Sequence, residues 1–94
     1  MNINQNIKVA VDAIVGYSDN QLNVLLIKQK YGTLKNKWAL VGGFVKDNET
    51  LFEAVNRELQ EETGITVNYL EQLFTFGDDI QRDPRGRVIS VAYF

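Results

Sequence analysis

The chain has 94 residues, of which 45% are hydrophobic, and its formal net charge is −2. This length allows one domain at most, and the apolar content suffices for a core, which argues against disorder; there is no basic excess that would indicate a nucleic-acid surface. Histidine and cysteine are both absent, which excludes disulfides, Ser-His-Asp and Cys-His catalysis and leaves carboxylates as the available general bases.

The first half of the chain is typical of strands and turns. Apolar residues alternate with others over residues 8–17, which predicts a strand, and residues 22–28 predict a second strand after a turn-rich segment. The two strands should form a hairpin. Residues 29–37 form a lysine-rich loop, which is either a solvated loop or a basic rim that attracts a phosphorylated ligand. Residues 1–8 are polar and unlike a signal peptide, and no apolar run would span a membrane, so we expect a soluble cytoplasmic protein without a membrane partner.

A short strand over residues 38–41 is predicted to enter a loop at Gly42 and Gly43, where glycine permits a positive φ and a close backbone approach. A helix is then expected from about residue 51 to residue 63. Thr50 and Glu53 have the spacing of a capping box, and Gly64 suits a left-handed residue after the helix.

The charges on this helix disagree with its local rules. On a helical wheel the apolar arc contains Leu51, Phe52, Val55 and Leu59, and Glu62 falls at the margin of that arc. Glu58, Glu61 and Glu62 repel one another at three- and four-residue spacing, and the last two lie where a helix end favours cations. Clustered carboxylates suit Mg²⁺ or Mn²⁺. The alternative is an acidic helix end balanced by Arg57 and lysines.

The spacing of this stretch resembles the Nudix box. Five residues separate Gly43 from Glu49, and seven separate Glu49 from the run Arg57-Glu58-Leu59. One residue then precedes the pair Glu61-Glu62, and one more precedes the pair Gly64-Ile65. The resemblance extends from about residue 8 to the last residue. It implies that Glu58, Glu61 and Glu62 hold the cations together with the Gly42 carbonyl. It also implies that Arg57 orients a glutamate, and that Glu49 pairs with Arg57 or assists at the site. Many relatives have proline where this chain has Val41, which bears on the stiffness of the loop.

The remainder of the chain predicts a long strand over residues 66–76, irregular near Asn68, and a further strand over residues 87–94. Strands that flank an amphipathic helix indicate an α/β class with a mixed sheet. The resemblance implies the α/β/α sandwich of Nudix domains, often as a homodimer. Because such domains are usually longer, we expect residues 1–94 to be the N-terminal portion of a single Nudix domain, truncated at its C-terminus.

The segment RDPRGRVIS resembles ADP-ribose pyrophosphatases and the Nudix domains of NAD-metabolism repressors. Arg82, Arg85 and Arg87 would then grip the distal phosphate or ribose; the alternative is a charged hairpin turn. The resemblance implies a Mg²⁺-dependent hydrolase that cleaves a nucleoside diphosphate linked to another moiety, with ADP-ribose or a similar nucleotide sugar favoured and Glu58 as a candidate base. The alternative is a metabolite-sensing domain of a transcriptional regulator, which would contact nucleic acid only through a DNA-binding domain after Phe94.

Overall fold

The computed structural model describes residues 5–18, 22–32 and 35–94 of the chain. Within these ranges one helix, α1, spans Leu51–Thr63. The strands, in chain order, are β1 (Lys8–Ala13), β2 (Gly16–Ser18), β3 (Leu22–Val24), β4 (Ile27–Lys28), β5 (Trp38–Ala39), β6 (Val41–Phe44), β7 (Gln72–Phe76) and β8 (Val88–Tyr93). No helix in the described ranges has both the length and the apolar character needed to cross a membrane.

Four strands form the main sheet in the order β6-β1-β8-β7. Strand β1 runs parallel to β8, whereas the β1–β6 and β7–β8 pairs are antiparallel. Strands β2 and β3 form an antiparallel pair, and so do β4 and β5. The α/β class with a mixed sheet is therefore confirmed.

The helix has the ends that its sequence predicts. The backbone N–H of Glu53 donates to the Thr50 hydroxyl over 3.1 Å, and the Thr50 N–H donates to the Glu53 carboxylate over 2.9 Å. Gly64 ends the helix with φ of 77°, and its N–H donates to the Gln60 carbonyl. These bonds satisfy backbone groups that a bare helix end would leave without partners.

The core lies between α1 and the facing side of the main sheet. Its largest fully buried side chains are Leu59, Val11, Val41 and Val55. Because strand side chains alternate between faces, the residues of β1 that flank Val11 point away from the helix. One member of the predicted apolar arc is not covered in this way, since Phe52 is 41% exposed.

Several predicted strands are shorter than their sequence patterns indicate. The strand predicted over residues 8–17 is two strands, β1 and β2, and that over residues 22–28 is also two, β3 and β4. The β2–β3 pairing confirms the hairpin, while its turn residues 19–21 lie outside the described residues, as do residues 33–34 of the lysine-rich loop.

The prediction of a long strand over residues 66–76 is wrong, because only Gln72–Phe76 forms a strand. The irregularity lies between Gln72 and Phe74 rather than at Asn68. The segment before β7 is held partly by the helix, since the Val67 N–H donates to the Asn56 side chain over 3.2 Å. A side-chain acceptor on α1 thus replaces a strand partner for this backbone group.

Candidate functional site

Gly42 and Gly43 lie inside strand β6, so the prediction of a loop at this position is wrong. Neither residue is among the described glycines with a positive φ, which are Gly32, Gly64 and Gly86. Their backbones are instead approached closely by neighbouring groups. A Cβ added to Gly43 would lie 2.6 Å from the Glu58 Cδ. A Cβ added to Gly42 would collide first with the Val11 carbonyl oxygen and would lie 2.6 Å from the Asp12 Oδ1. Gly43 therefore leaves space for the Glu58 carboxylate, and Gly42 leaves space for the backbone of β1 as well as for Asp12.

Arg57 joins the helix to the strand and to the segment between them. Its Nε and Nη2 donate to the two carboxylate oxygens of Glu49 over 3.0 and 2.7 Å, and Nη2 also donates to the Phe44 carbonyl over 2.9 Å. Its Nη1 donates to Glu58 over 2.6 Å and to Glu61 over 3.3 Å. The planar guanidinium can serve these acceptors together because its donors point outward in a fixed fork. Arg57 thus contacts three of the predicted site glutamates.

The pKa values of Glu49 and Glu62 are shifted in opposite directions. Hydrogen bonds from Arg57 and from the Lys46 N–H lower the pKa of Glu49 to about 2. Partial burial of its carboxyl and the charges of Glu58 and Glu61 raise the pKa of Glu62 to about 7, against the effect of a backbone hydrogen bond from Gly42, although the residue as a whole is exposed. Glu62 therefore lies beside both Glu58 and the glycine strand, in an excess of negative charge.

The three glutamates predicted to bind metal suit a hard cation in chemistry, because carboxylate oxygens are the ligands that Mg²⁺ and Mn²⁺ prefer. Glu58 is 9% exposed and faces Gly43, and Glu62 adjoins it. The Glu61 side chain is 55% exposed and contacts Arg57. In the described part of the chain, however, no three acidic side chains meet closely enough to hold a metal ion. The three carboxylates therefore do not converge on one point in this structure, and Glu58 and Glu61 are instead paired with Arg57.

A cavity of about 410 Å³ adjoins the glycine strand. Among the predicted site residues, Gly42, Gly43, Arg82 and Arg85 line it. Glu58, Glu61, Glu62 and Arg87 are not among its lining residues. The other residues that line it are Ala10, Asp12, Gln29, Tyr31, Gly32, Ala39, Leu40, Asp83, Pro84 and Ser90. The two glycines therefore belong both to the cavity wall and to the surroundings of the helix glutamates.

The two cavity arginines are held by local contacts. The Nη2 of Arg82 donates to the Val88 carbonyl and to the Ser90 hydroxyl, each over 3.0 Å. Arg85 donates through Nε and Nη2 to the two oxygens of Asp83 over 2.9 and 2.7 Å.

The Arg85 guanidinium also lies 4.7 Å from the centroid of the Phe44 ring. Hydrogen bonds from Arg85 lower the pKa of Asp83 to about 2. Arg87 differs from both, since its Nη1 is buried without a hydrogen-bond partner among the described residues. Of the three arginines, Arg82 and Arg85 therefore present their positive charges to the cavity.

Asp12 and Ser90 are cavity residues that the sequence analysis did not single out. Burial raises the pKa of Asp12, while the charges of Arg82 and Arg85 act in the opposite direction. The sequence does contain a signal for Asp12, because it is a charged residue in an otherwise apolar strand and shares a strand face with Ala10, two residues earlier. Ser90 carries a similar signal, because it is a buried polar residue within the apolar strand β8.

Comparison with known proteins identifies relatives along nearly the whole chain. A model of the NUDIX domain matches residues 6–94. The chain is 46% identical over 85 residues to an ADP-ribose pyrophosphatase of Methanocaldococcus jannaschii, covering 90% of this chain and 48% of that protein. It is 42% identical over 84 residues to the ADPR responsive transcriptional repressor NtrR of Acinetobacter baylyi, covering 87% of this chain and 33% of that protein. The chain thus spans about half or less of the length of these curated relatives.

Solved structures agree with this result. A MutT/nudix family protein from Enterococcus faecalis superposes with a TM-score of 0.90 at 39% identity, covering 99% of this chain and 38% of that one. The NUDIX domain of Shewanella oneidensis NrtR, solved as a complex with ADP ribose, gives a TM-score of 0.84 at 37% identity, covering 95% of this chain and 59% of that one. The spacing of the helix residues, the fold and the family match agree, and the chain belongs to the Nudix family.

Proposed function

We propose that this protein is a metal-dependent Nudix hydrolase that cleaves the diphosphate of ADP-ribose or a similar nucleotide sugar. The observation that carries the proposal is the arrangement around β6. Gly43 adjoins Glu58, which Arg57 positions, and both Gly42 and Gly43 line a cavity that contains Arg82 and Arg85. The similarity to an ADP-ribose pyrophosphatase supports this substrate class.

The helix glutamates and the arginines would divide the work of such a reaction. To hold Mg²⁺ or Mn²⁺, the carboxylates of Glu58, Glu61 and Glu62 would have to turn toward a common point beside the Gly42 carbonyl. The bound cation would offset phosphate charge and lower the pKa of water. Arg57 fixes the position of Glu58 through a 2.6 Å charge-assisted hydrogen bond, and Glu58 is the candidate base. Arg82 and Arg85 present positive charge to the phosphate-bearing ligand within the cavity.

The proposal is tested by Glu58→Gln, assayed as release of AMP from ADP-ribose in the presence of Mg²⁺. We expect turnover to fall by a factor of about 100 or more, in the range found for loss of a positioned acid or base. Glu71→Gln is the matched control, because Glu71 is exposed and its carboxylate, as far as the described residues show, accepts a hydrogen bond from the Tyr69 hydroxyl alone. Equal turnover by the two variants would refute the assignment of Glu58.

A second function, ligand sensing in a transcriptional regulator, is favoured by the similarity to NtrR. In that case the wild-type protein binds ADP-ribose and releases no AMP with Mg²⁺ or Mn²⁺. Contact with DNA would belong to this second proposal, since a related NrtR has been solved with a 27mer DNA. Sedimentation of the purified protein would test the predicted homodimer.

A further inference from the structure

Asp12 occupies an unusual place on the cavity wall. It lies in β1 directly opposite Gly42 in the strand register, and its side chain is half-buried. Because Gly42 has no side chain, both the Val11 carbonyl and the Asp12 carboxylate can lie close to it, and a Cβ at Gly42 would lie 2.6 Å from the Asp12 Oδ1. Among the described residues, no donor forms a hydrogen bond with this carboxylate. Within the described ranges, the cavity therefore contains a half-buried carboxylate that accepts no hydrogen bond.

The neighbouring arginines do not use this acceptor. Arg82 and Arg85 act on Asp12 through charge, while their hydrogen bonds go to other partners. Arg82 donates to Val88 and Ser90, and Arg85 donates to Asp83. The cavity thus combines positive charge with a carboxylate that remains available to a ligand.

This combination restricts the chemistry of the ligand. A phosphate group is attracted by the arginines but repelled by a carboxylate, so it does not suit the position beside Asp12. A hydroxyl group suits it, because a carboxylate accepts hydrogen bonds through two oxygens and a vicinal diol offers two donors. A ligand that carries both a diphosphate and a sugar meets both requirements.

We propose that Asp12 is a specificity-determining residue that accepts hydrogen bonds from the hydroxyl groups of a sugar linked to the diphosphate. This inference rests on the proposed function and adds the group that distinguishes a nucleotide sugar from a bare diphosphate. It differs from a positioning role, in which Asp12 would act only by holding Arg82 and Arg85 in place. The two roles predict opposite results for a ligand that has phosphates and no sugar.

The experiment measures binding by calorimetry for the wild type, Asp12→Asn and Asp47→Asn. The ligands are ADP-ribose, ADP and inorganic pyrophosphate, with Ca²⁺ present and AMP release checked in the same samples. Asp47→Asn is the matched control, because Asp47 is an exposed turn residue outside the cavity lining. Thermal unfolding of each variant confirms folding, and Asp12→Ala replaces Asp12→Asn if the latter does not fold.

We expect Asp12→Asn to weaken ADP-ribose binding about tenfold to a hundredfold, as for loss of hydrogen bonds to a charged group. Pyrophosphate should bind equally or more tightly, because one negative charge has been removed from the cavity. Weaker ADP binding as well would assign Asp12 to the adenosine ribose, and unchanged ADP binding would assign it to the terminal sugar.

Two results would overturn the inference while leaving the proposed function intact. One is unchanged ADP-ribose affinity in Asp12→Asn, and the other is an equal loss for ADP-ribose and pyrophosphate, which would indicate a positioning role. Failure of the wild type to bind ADP-ribose would instead overturn the proposed function and this inference together.

Discussion

The contact between Gly43 and Glu58 leads to a quantitative prediction for Gly43→Ala. The added Cβ would lie 2.6 Å from the Glu58 Cδ, which no real Cβ tolerates. The Glu58 side chain can rotate away, so relief of the clash itself costs little. Rotation breaks the 2.6 Å bond from Arg57, and such charge-assisted bonds contribute about 1.5–3 kcal/mol.

The replacement of glycine by alanine also restricts the unfolded chain, which stabilises a protein by about 0.4–1 kcal/mol where the backbone permits it. The balance is a loss of roughly 0.5–2.6 kcal/mol in the free energy of unfolding. For a chain of this length that corresponds to a fall of roughly 2–20 °C in Tm. Displacement of Glu58 should also lower AMP release from ADP-ribose by about tenfold or more.

The matched control is Gly77→Ala, whose Cβ would lie at an ordinary 3.6 Å from the Ile89 side chain. We expect this variant to retain both its Tm and its turnover. Thermal unfolding and the AMP assay on the two variants therefore separate a general effect of alanine from the effect on Glu58. If Gly43→Ala matched Gly77→Ala in both measurements, the argument that Gly43 exists to admit Glu58 would be refuted.

Three further predictions concern the helix and its ion pairs. Arg57→Lys should lower the free energy of unfolding by about 1–3 kcal/mol in urea titrations, because one ammonium cannot replace a fork that serves Glu58 and the backbone together. The folded-state pKa of Glu49, about 2, is below its ordinary value of 4.5, so its contribution is present above pH 4.5 and is lost as the pH falls to about 2. The free energy of unfolding of Glu49→Gln should depend less on pH across that window, and a pH dependence equal to that of the wild type would contradict a stabilising Arg57–Glu49 ion pair. Thr50→Ala should cost about 0.5–2 kcal/mol through loss of the N-cap and leave the KM for ADP-ribose unchanged, whereas an altered KM would contradict a purely structural role.

The helix was predictable because its determinants are local. The capping box, the apolar spacing and the glycine after the helix all lie within 15 residues, and each acts on the backbone nearby. The ion pair between Arg57 and Glu49 is also local, since the two hydrogen bonds that form it join residues only eight positions apart. Strand lengths were less predictable, because a strand ends where its partner ends, and the sequence of one strand contains no information about its partner.

The cavity could not be predicted from the sequence, because it depends on the register between strands that are distant in the chain, and no local pattern contains that register. In the parallel register of β1 and β8, Ala10 lies opposite Ser90, and in the antiparallel register of β1 and β6, Asp12 lies opposite Gly42. A shift of either register by one residue would turn the side chains of one strand to the other face. Asp12 would then enter the apolar core that Val11 now occupies, where an unpaired carboxylate is strongly disfavoured. Burial of Val11 and Ala13 therefore fixes the register, and the register in turn brings Asp12 to the cavity beside Arg82 and Arg85. Packing on one face of the sheet thus determines the chemistry available on the other.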